Sequence, residues 1–206
     1  MATAETPAQA PAQPRRLSLA EYDEMIREGR FGRDDRFELL DGLLVKKMIK
    51  GPRHLAITHR LYNALLRSLP GAWHSRMEAP VGLPTGPEQG APSRPEPDIL
   101  VLKGVEGTFD DRHPLPDEIA LAVEVASDRR RLLEDRKGLT RYAFNNIPSV
   151  WIVNLSANVI EVYTNPTGPV EDAIYEGITV KHPGETIAVP LGGGEDVNLD
   201  VGALLA

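Results

Sequence analysis

Short apolar runs separated by polar or Gly/Pro-rich stretches recur along the chain, and two of them frame its most unusual feature. Ile99-Leu100-Val101-Leu102 reads as a buried strand directly after Glu96-Pro97-Asp98. Ile119 to Ala126 reads as a second buried strand, except that Glu124 stands near its end. An ionised carboxylate in that setting costs several kcal/mol unless a partner compensates for it. Ser127 and Asp128 are good N-cap residues for a charged helix that carries Lys137 and runs from about Asp128 to Asn145. The polarity of Ser127 to Arg131 favours a late start, with 127–133 as loop and Leu132-Leu133 opening the helix proper. Gly138 marks a kink or break within it.

The rest of the pattern is consistent with one sheet. Ser18 and Glu21 form a capping box for a short helix that Gly29 ends. Arg36 to Leu40, then Asp41-Gly42, then Leu43 to Val45 read as a hairpin, because Asp-Gly suits a tight turn with positive φ. Pro52 opens a helix with a leucine stripe that Pro70-Gly71 stops, and Trp73 to Ala79 reads as a strand. Residues 82–97 form a Gly/Pro-rich loop, long enough to suggest function. Downstream, Ser149 to Asn154 is a buried strand that forms a hairpin with Val159 to Tyr163. Further strands are expected near 172–180 and 186–189, before a weak terminal helix. The order predicts a mixed α/β fold around a central sheet, with Asp98 and Glu124 at nearby ends of adjacent strands.

Composition narrows the function. With 206 residues, 41% of them apolar, the chain suits one domain: 17–206, preceded by an Ala/Pro/Gln-rich tail, 1–16, expected to be disordered. No apolar run is long enough for a bilayer, and the N-terminus lacks a signal-peptide pattern, so no membrane association is expected. The absence of cysteine excludes disulfides, thiolate metal sites and cysteine nucleophiles, and fits a cytoplasmic protein. Five histidines without an HExxH pair count against a zinc hydrolase. A net charge of -7 argues against a general nucleic-acid coat protein. It is compatible with an enzyme whose basic residues gather around one cleft.

Two carboxylates on consecutive strands, followed by a lysine-bearing helix, are what a divalent-cation site needs. Mg²⁺ keeps several waters, so two or three acids suffice to hold it. Such a cation stabilises developing negative charge and activates water, the requirements of phosphodiester hydrolysis. Lys46, Lys47, Lys50, Arg53 and Arg129-Arg130-Arg131 are candidates to hold a phosphate backbone. A glycosidase also uses two carboxylates, but two tryptophans and five tyrosines make a poor sugar platform, and the basic clusters would go unexplained. Trp151 and Tyr142 read as core.

The chain resembles the Uma-two family of restriction-endonuclease-like proteins, within the PD-(D/E)XK nuclease superfamily. The resemblance spans most of 17–205 and rests on Phe37-Glu38-Leu39-Leu40-Asp41-Gly42, Gly51-Pro52-Arg53-His54, Pro97-Asp98 and Val123-Glu124-Val125. It continues through Tyr142-Ala143, Ile147 to Val153 and Glu161-Val162-Tyr163. It implies a restriction-endonuclease-like α/β core, a central mixed sheet flanked by helices, with an N-terminal hairpin and a β-rich C-terminal extension. It further implies a Mg²⁺- or Mn²⁺-dependent endonuclease acting on DNA. Asp98, Glu124 and the Val125 carbonyl would be metal ligands, Glu38 and His54 additional site positions, and Lys137 the catalytic lysine, with Lys46 or Lys50 next in line should Lys137 prove dispensable. Two departures stand out. Ala126 occupies the superfamily's lysine place two residues after the second acid, and Gly138, rather than Lys137, has the spacing expected ahead of Tyr142. A catalytically silent nucleic-acid-binding or regulatory domain of the same fold is therefore the alternative. A homodimer is left open.

Overall fold

The computed structural model describes residues 14–32, 35–192 and 196–206. Of the expected tail, residues 1–13 lie outside these. Arg16 is tied down, its guanidinium donating to the Asp41 carbonyl.

Continuous apolar runs make the centre of the sheet. Strands β4 (Ile99–Lys103), β5 (Ile119–Ala126) and β6 (Ser149–Asn154) bury almost every position, as strands covered on both faces must. With β3 (Trp73–Met77), β7 (Val159–Pro166) and β8 (Tyr175–Lys181) they form a six-stranded sheet in the order β3-β4-β5-β6-β7-β8. Every neighbouring pair is antiparallel except β5–β6. A parallel pair needs a crossover, and helix α3 (Arg129–Phe144) supplies it.

Strand alternation sorts the core into two halves. Ile99, Val101, Val123 and Val125 meet Ile57, Leu61 and Leu65 of α2 (Pro52–Ser68). The same half holds Leu204 of α4 (Val201–Leu205) and Ile187, Val189 and Leu199 from a hairpin of β9 (Thr186–Val189) and β10 (Val197–Asp200). On the opposite face Leu100, Leu102, Ala122 and Ala126 pack with Tyr142 and Ala143 of α3.

A separate hairpin, β1 (Phe37–Leu40) with β2 (Leu43–Lys46), stands outside the sheet. Its turn has positive φ at Asp41 (49°) and Gly42 (75°), as the Asp-Gly pair predicts. Helix α1 (Leu19–Arg27) carries the expected capping box and packs its buried Tyr22 beside the hairpin, the phenol donating to the Phe37 carbonyl over 2.9 Å.

Three details depart from the sequence reading. Helix α3 starts at Arg129, where the Asp128 cap puts it and not at Leu132 as the late start had it, because the Asp128 carboxylate accepts the Arg131 N–H at 2.9 Å and caps a first turn that needs no apolar residues. It runs unbroken through Gly138; the cost of about 1 kcal/mol for an interior glycine is offset by the core packing of Leu132, Leu139, Tyr142 and Ala143 on either side of it. Strand β10 was not expected, since four residues with two inward side chains give too short an alternation to read.

Candidate active site

The register of β4 and β5 creates the site. Ile99 pairs with Val123 in an antiparallel ladder, so one step further sets Asp98 opposite Glu124 at the end where β4 begins and β5 finishes. Asp98 is 1% exposed and Glu124 8%. The Val125 N–H donates to Asp98 Oδ2 at 2.7 Å. A strand residue's N–H and C=O point to the same neighbour, so the Val125 carbonyl faces the Asp98 side as well.

Helix α2 and the loop before it bring the next groups. Pro52 fixes the first turn, which carries the buried His54 inward, and His54 Nε2 donates to Asp98 Oδ1 at 2.9 Å. The Lys50 ammonium lies 2.6 Å from the same oxygen and 3.1 Å from Glu78 Oε1. Burial opposes the Asp98 charge, but His54 and Lys50 outweigh it and hold this carboxyl below the usual aspartate range. Burial likewise works against the Lys50 charge, and Asp98 and Glu78 reverse that, raising its pKa.

From the other side comes α3. Arg131, Asp135, Gly138 and Tyr142 follow one another at intervals of four, three and four, so they share one helix face. That face grips Glu124: Tyr142 donates its hydroxyl to Oε1 at 2.9 Å, and Arg131 approaches Oε2 at 3.4 Å. Arg131 also lies 2.8 Å from Asp135 Oδ1, while Asp135 Oδ2 is buried with no hydrogen-bond partner. Burial, then repulsion from Asp135 and Asp98, pushes the Glu124 carboxyl well above the usual range, against the pull of Arg131. Burial pushes Asp135 up to about 7, again against Arg131.

The hairpin closes the arrangement. Glu38, in β1, pairs with Lys47 at 3.4 Å, and Lys47 also pairs with Glu96. Burial raises the Glu38 pKa, Lys47 opposes it and Glu96 adds to it. Between hairpin, α2 loop and α3 lies a cavity of about 360 Å³ whose walls include Glu38, His54, Asp98, Glu124, Asp135 and Lys137. Sequence-predicted Glu38, His54, Asp98, Glu124 and Lys137 thus meet in one cavity, and Val125 joins them through its backbone. Lys137 is exposed at the wall, one position off the inward face of α3, and no carboxylate lies within 4.0 Å of its ammonium among the described residues.

Sequence reasoning missed Asp135 and the inward roles of Arg131 and Tyr142. The signal was there: Arg131, Asp135 and Tyr142 recur at helical spacing, but the late start left Arg131 in a loop, and Asp135 reads locally as one more charge on a polar helix. Of the three arginines read as phosphate ligands, Arg130 pairs with Glu134 on the surface, and only Arg131 enters the cavity.

The donors are all oxygen. Among the described residues no three His, Asp or Glu side chains stand together as a ready-made metal cage. Asp98 and Glu124 still fit a hard cation that keeps most of its own waters, as Mg²⁺ does with one or two carboxylates. The partnerless Asp135 Oδ2 and the raised pKa values of Glu38, Glu124 and Asp135, each due first to burial, mark carboxyls held out of water.

Comparison with known proteins defines the class of the fold. The crystal structure of "a putative nuclease belonging to DUF820" from Anabaena variabilis ATCC 29413 superposes with a TM-score of 0.63 at 14% identity, covering 92% of this chain and 97% of that one. The fold is that of this nuclease group. The Uma2 family, described as "Putative restriction endonuclease", matches residues 19–202, and the chain belongs to it. No curated protein matches the chain. Among the described residues no helix is long and apolar enough to cross a membrane.

Proposed function

We propose that this protein is an endonuclease that hydrolyses DNA phosphodiester bonds with Mg²⁺ or Mn²⁺ held by Asp98 and Glu124. The observation that carries the reading is the burial of these two carboxylates opposite one another at the floor of a cavity. When bound, the cation supplies Lewis acidity at the scissile phosphate and activation of water. Asp98 is kept ionised and aimed by His54, Lys50 and the Val125 N–H. Glu124 is oriented by Tyr142, and burial holds its carboxyl well above the usual range against the pull of Arg131. Glu38 and Lys47 form the facing wall.

The test is calorimetry with Mn²⁺ together with nicking of supercoiled plasmid. Asp98→Ala and Glu124→Ala are each expected to weaken Mn²⁺ binding at least about tenfold and to reduce cleavage by about a hundredfold or more. Unchanged binding in both variants rejects the site. A second reading, a silent domain of the same fold, draws on the protein cations that already neutralise the two acids, Lys50 at Asp98 and Arg131 at Glu124. A parent chain that binds neither Mn²⁺ nor cuts DNA favours it.

DNA contact is expected at the cavity mouth, where Lys46 and Lys137 are exposed and have no carboxylate within 4.0 Å among the described residues. Replacing both with Gln should flatten the slope of log K against log salt by about 1.8, at about 0.9 per phosphate contact. A slope that does not move puts the DNA surface elsewhere.

A further inference from the structure

We propose that Lys50, on the loop that leads into α2, supplies the catalytic ammonium of this site in place of Lys137, an assignment that rests on the nuclease reading above. The position two residues after Glu124 is Ala126, so the group must come from another element. The four residues of α3 that face the cavity are Arg131, Asp135, Gly138 and Tyr142, and Lys137 is turned about 100° from the Gly138 direction. Its ammonium therefore lies at the cavity wall rather than over the carboxylates. At the centre of the inward face is a glycine, with only Arg141 NH1, at 3.6 Å, close to where a Cβ would stand. The helix thus offers Glu124 no ammonium from its middle.

Lys50 fills that lack from across the cavity. Its Nζ is 2.6 Å from Asp98 Oδ1, its side chain is only 14% exposed, and it lines the same cavity. Glu78 steadies the ammonium at 3.1 Å, from the end of β3, where a positive φ of 48° turns that residue toward the site. The backbone places Lys50 immediately before the Gly51 N-cap of α2, so the helix start that presents His54 also fixes the lysine. Two groups of one loop-helix junction converge on one carboxylate oxygen.

In the hydrolysis, a water oxygen bonds to phosphorus and one P–O ester bond breaks. The water gives one proton to solvent, and the leaving oxygen takes one up. Lys50 remains an ammonium throughout. Held beside Asp98, it donates hydrogen bonds to the attacking water and to a non-bridging phosphate oxygen where negative charge builds. Removing one such donor costs about a hundredfold or more in rate.

The experiment compares Lys50→Met, Lys137→Met and Lys50→Met/Gly138→Lys in single-turnover DNA cleavage with Mn²⁺, alongside Mn²⁺ calorimetry and thermal unfolding. Lys50→Met should lose about a hundredfold in cleavage while binding Mn²⁺ at least as tightly as the parent, because a cation beside Asp98 has been removed. Lys137→Met should weaken DNA binding, as the loss of one phosphate contact does, and at saturating DNA should lose far less cleavage than Lys50→Met. The added Gly138→Lys should restore at least about tenfold, because a lysine there enters the same cavity from α3. A purely structural ion pair predicts no such rescue. Lys50→Met at parental activity overturns the assignment while leaving the nuclease reading intact, and so does Lys137→Met losing what Lys50→Met was expected to lose. If Lys50→Met fails to fold, the double variant and Lys137→Met decide: an inert, folded double variant overturns it. A parent that neither binds Mn²⁺ nor cuts DNA overturns the nuclease reading and this assignment together.

Discussion

Replacing Arg131 by Met is expected to cost about 3–5 kcal/mol of folding stability at pH 8, the toll of leaving buried carboxylates without their countercharge. Arg131 lies 3.4 Å from Glu124 and 2.8 Å from Asp135, and its guanidinium is the cation that the two acids of this helix-facing side share. Methionine keeps much of the side-chain volume, so the loss reports charge rather than a cavity. The acids have one escape, which is to take up protons, and their raised pKa values make that easier as the pH falls. The destabilisation should therefore shrink markedly at pH 5. Urea unfolding in EDTA at the two pH values measures it. An equal loss at both would mean that Arg131 acts by packing alone.

The opposite sign is expected for Asp135→Asn. Burial raises the Asp135 pKa from 3.8 to about 7, so the folded protein binds this proton more tightly than the unfolded chain does. A carboxyl of that kind contributes stability below the unfolded value, and the contribution is lost as pH rises through the folded one. Between roughly pH 4 and pH 7 the parent should lose on the order of 2–4 kcal/mol through this group. Asparagine carries no charge to bury and keeps an acceptor for Arg131. The groups that face Asp135 set the scale: Arg131 attracts it, while Asp98, Glu134 and Glu38 repel it. The variant should be more stable than the parent at pH 8 and close to it at pH 4.5, with cation chelated throughout. A variant less stable at pH 8 would show that the Asp135–Arg131 pair outweighs the burial cost.

How far the sequence carried can be judged from particular residues. Asp98 and Glu124 were legible because each interrupts an apolar context, and strand period then forces them together. The Asp41-Gly42 turn was legible from backbone sterics, and the Ser18 capping box from two side chains at fixed spacing. Helix α3 was misread at its start, because polarity of the first turn was weighed above the capping carboxylate of Asp128. That error took Arg131 off the face that it shares with Asp135 and Tyr142. Tyr142 was read as core, and it is buried; its hydroxyl bond to Glu124 depends on tertiary placement that no local pattern encodes. The same holds for Lys50, which in sequence is one basic residue among several in a connector. Only the loop's path to Asp98 distinguishes it from its neighbours.

The hairpin β1–β2 belongs to no larger sheet, yet it forms one wall of the cavity. Its tip is held from α3, from the loop at Pro92-Ser93 and from the N-terminal segment, where Arg16 donates to the Asp41 carbonyl. Arg141 of α3 meets Asp41 at 2.7 Å, and the loop at Pro92-Ser93 accepts the Gly42 N–H and the Asp41 N–H, each at 2.8 Å. Strand ladders, which resist shear, stop short of this wall. Its stance depends instead on scattered fastenings, the Arg141–Asp41 ion pair and single hydrogen bonds from the Pro92-Ser93 loop, from Arg16-Leu17 and from Arg94 among them. The rim of the cavity is therefore fastened at the periphery, by contacts separate from those that set the floor where Asp98 and Glu124 lie.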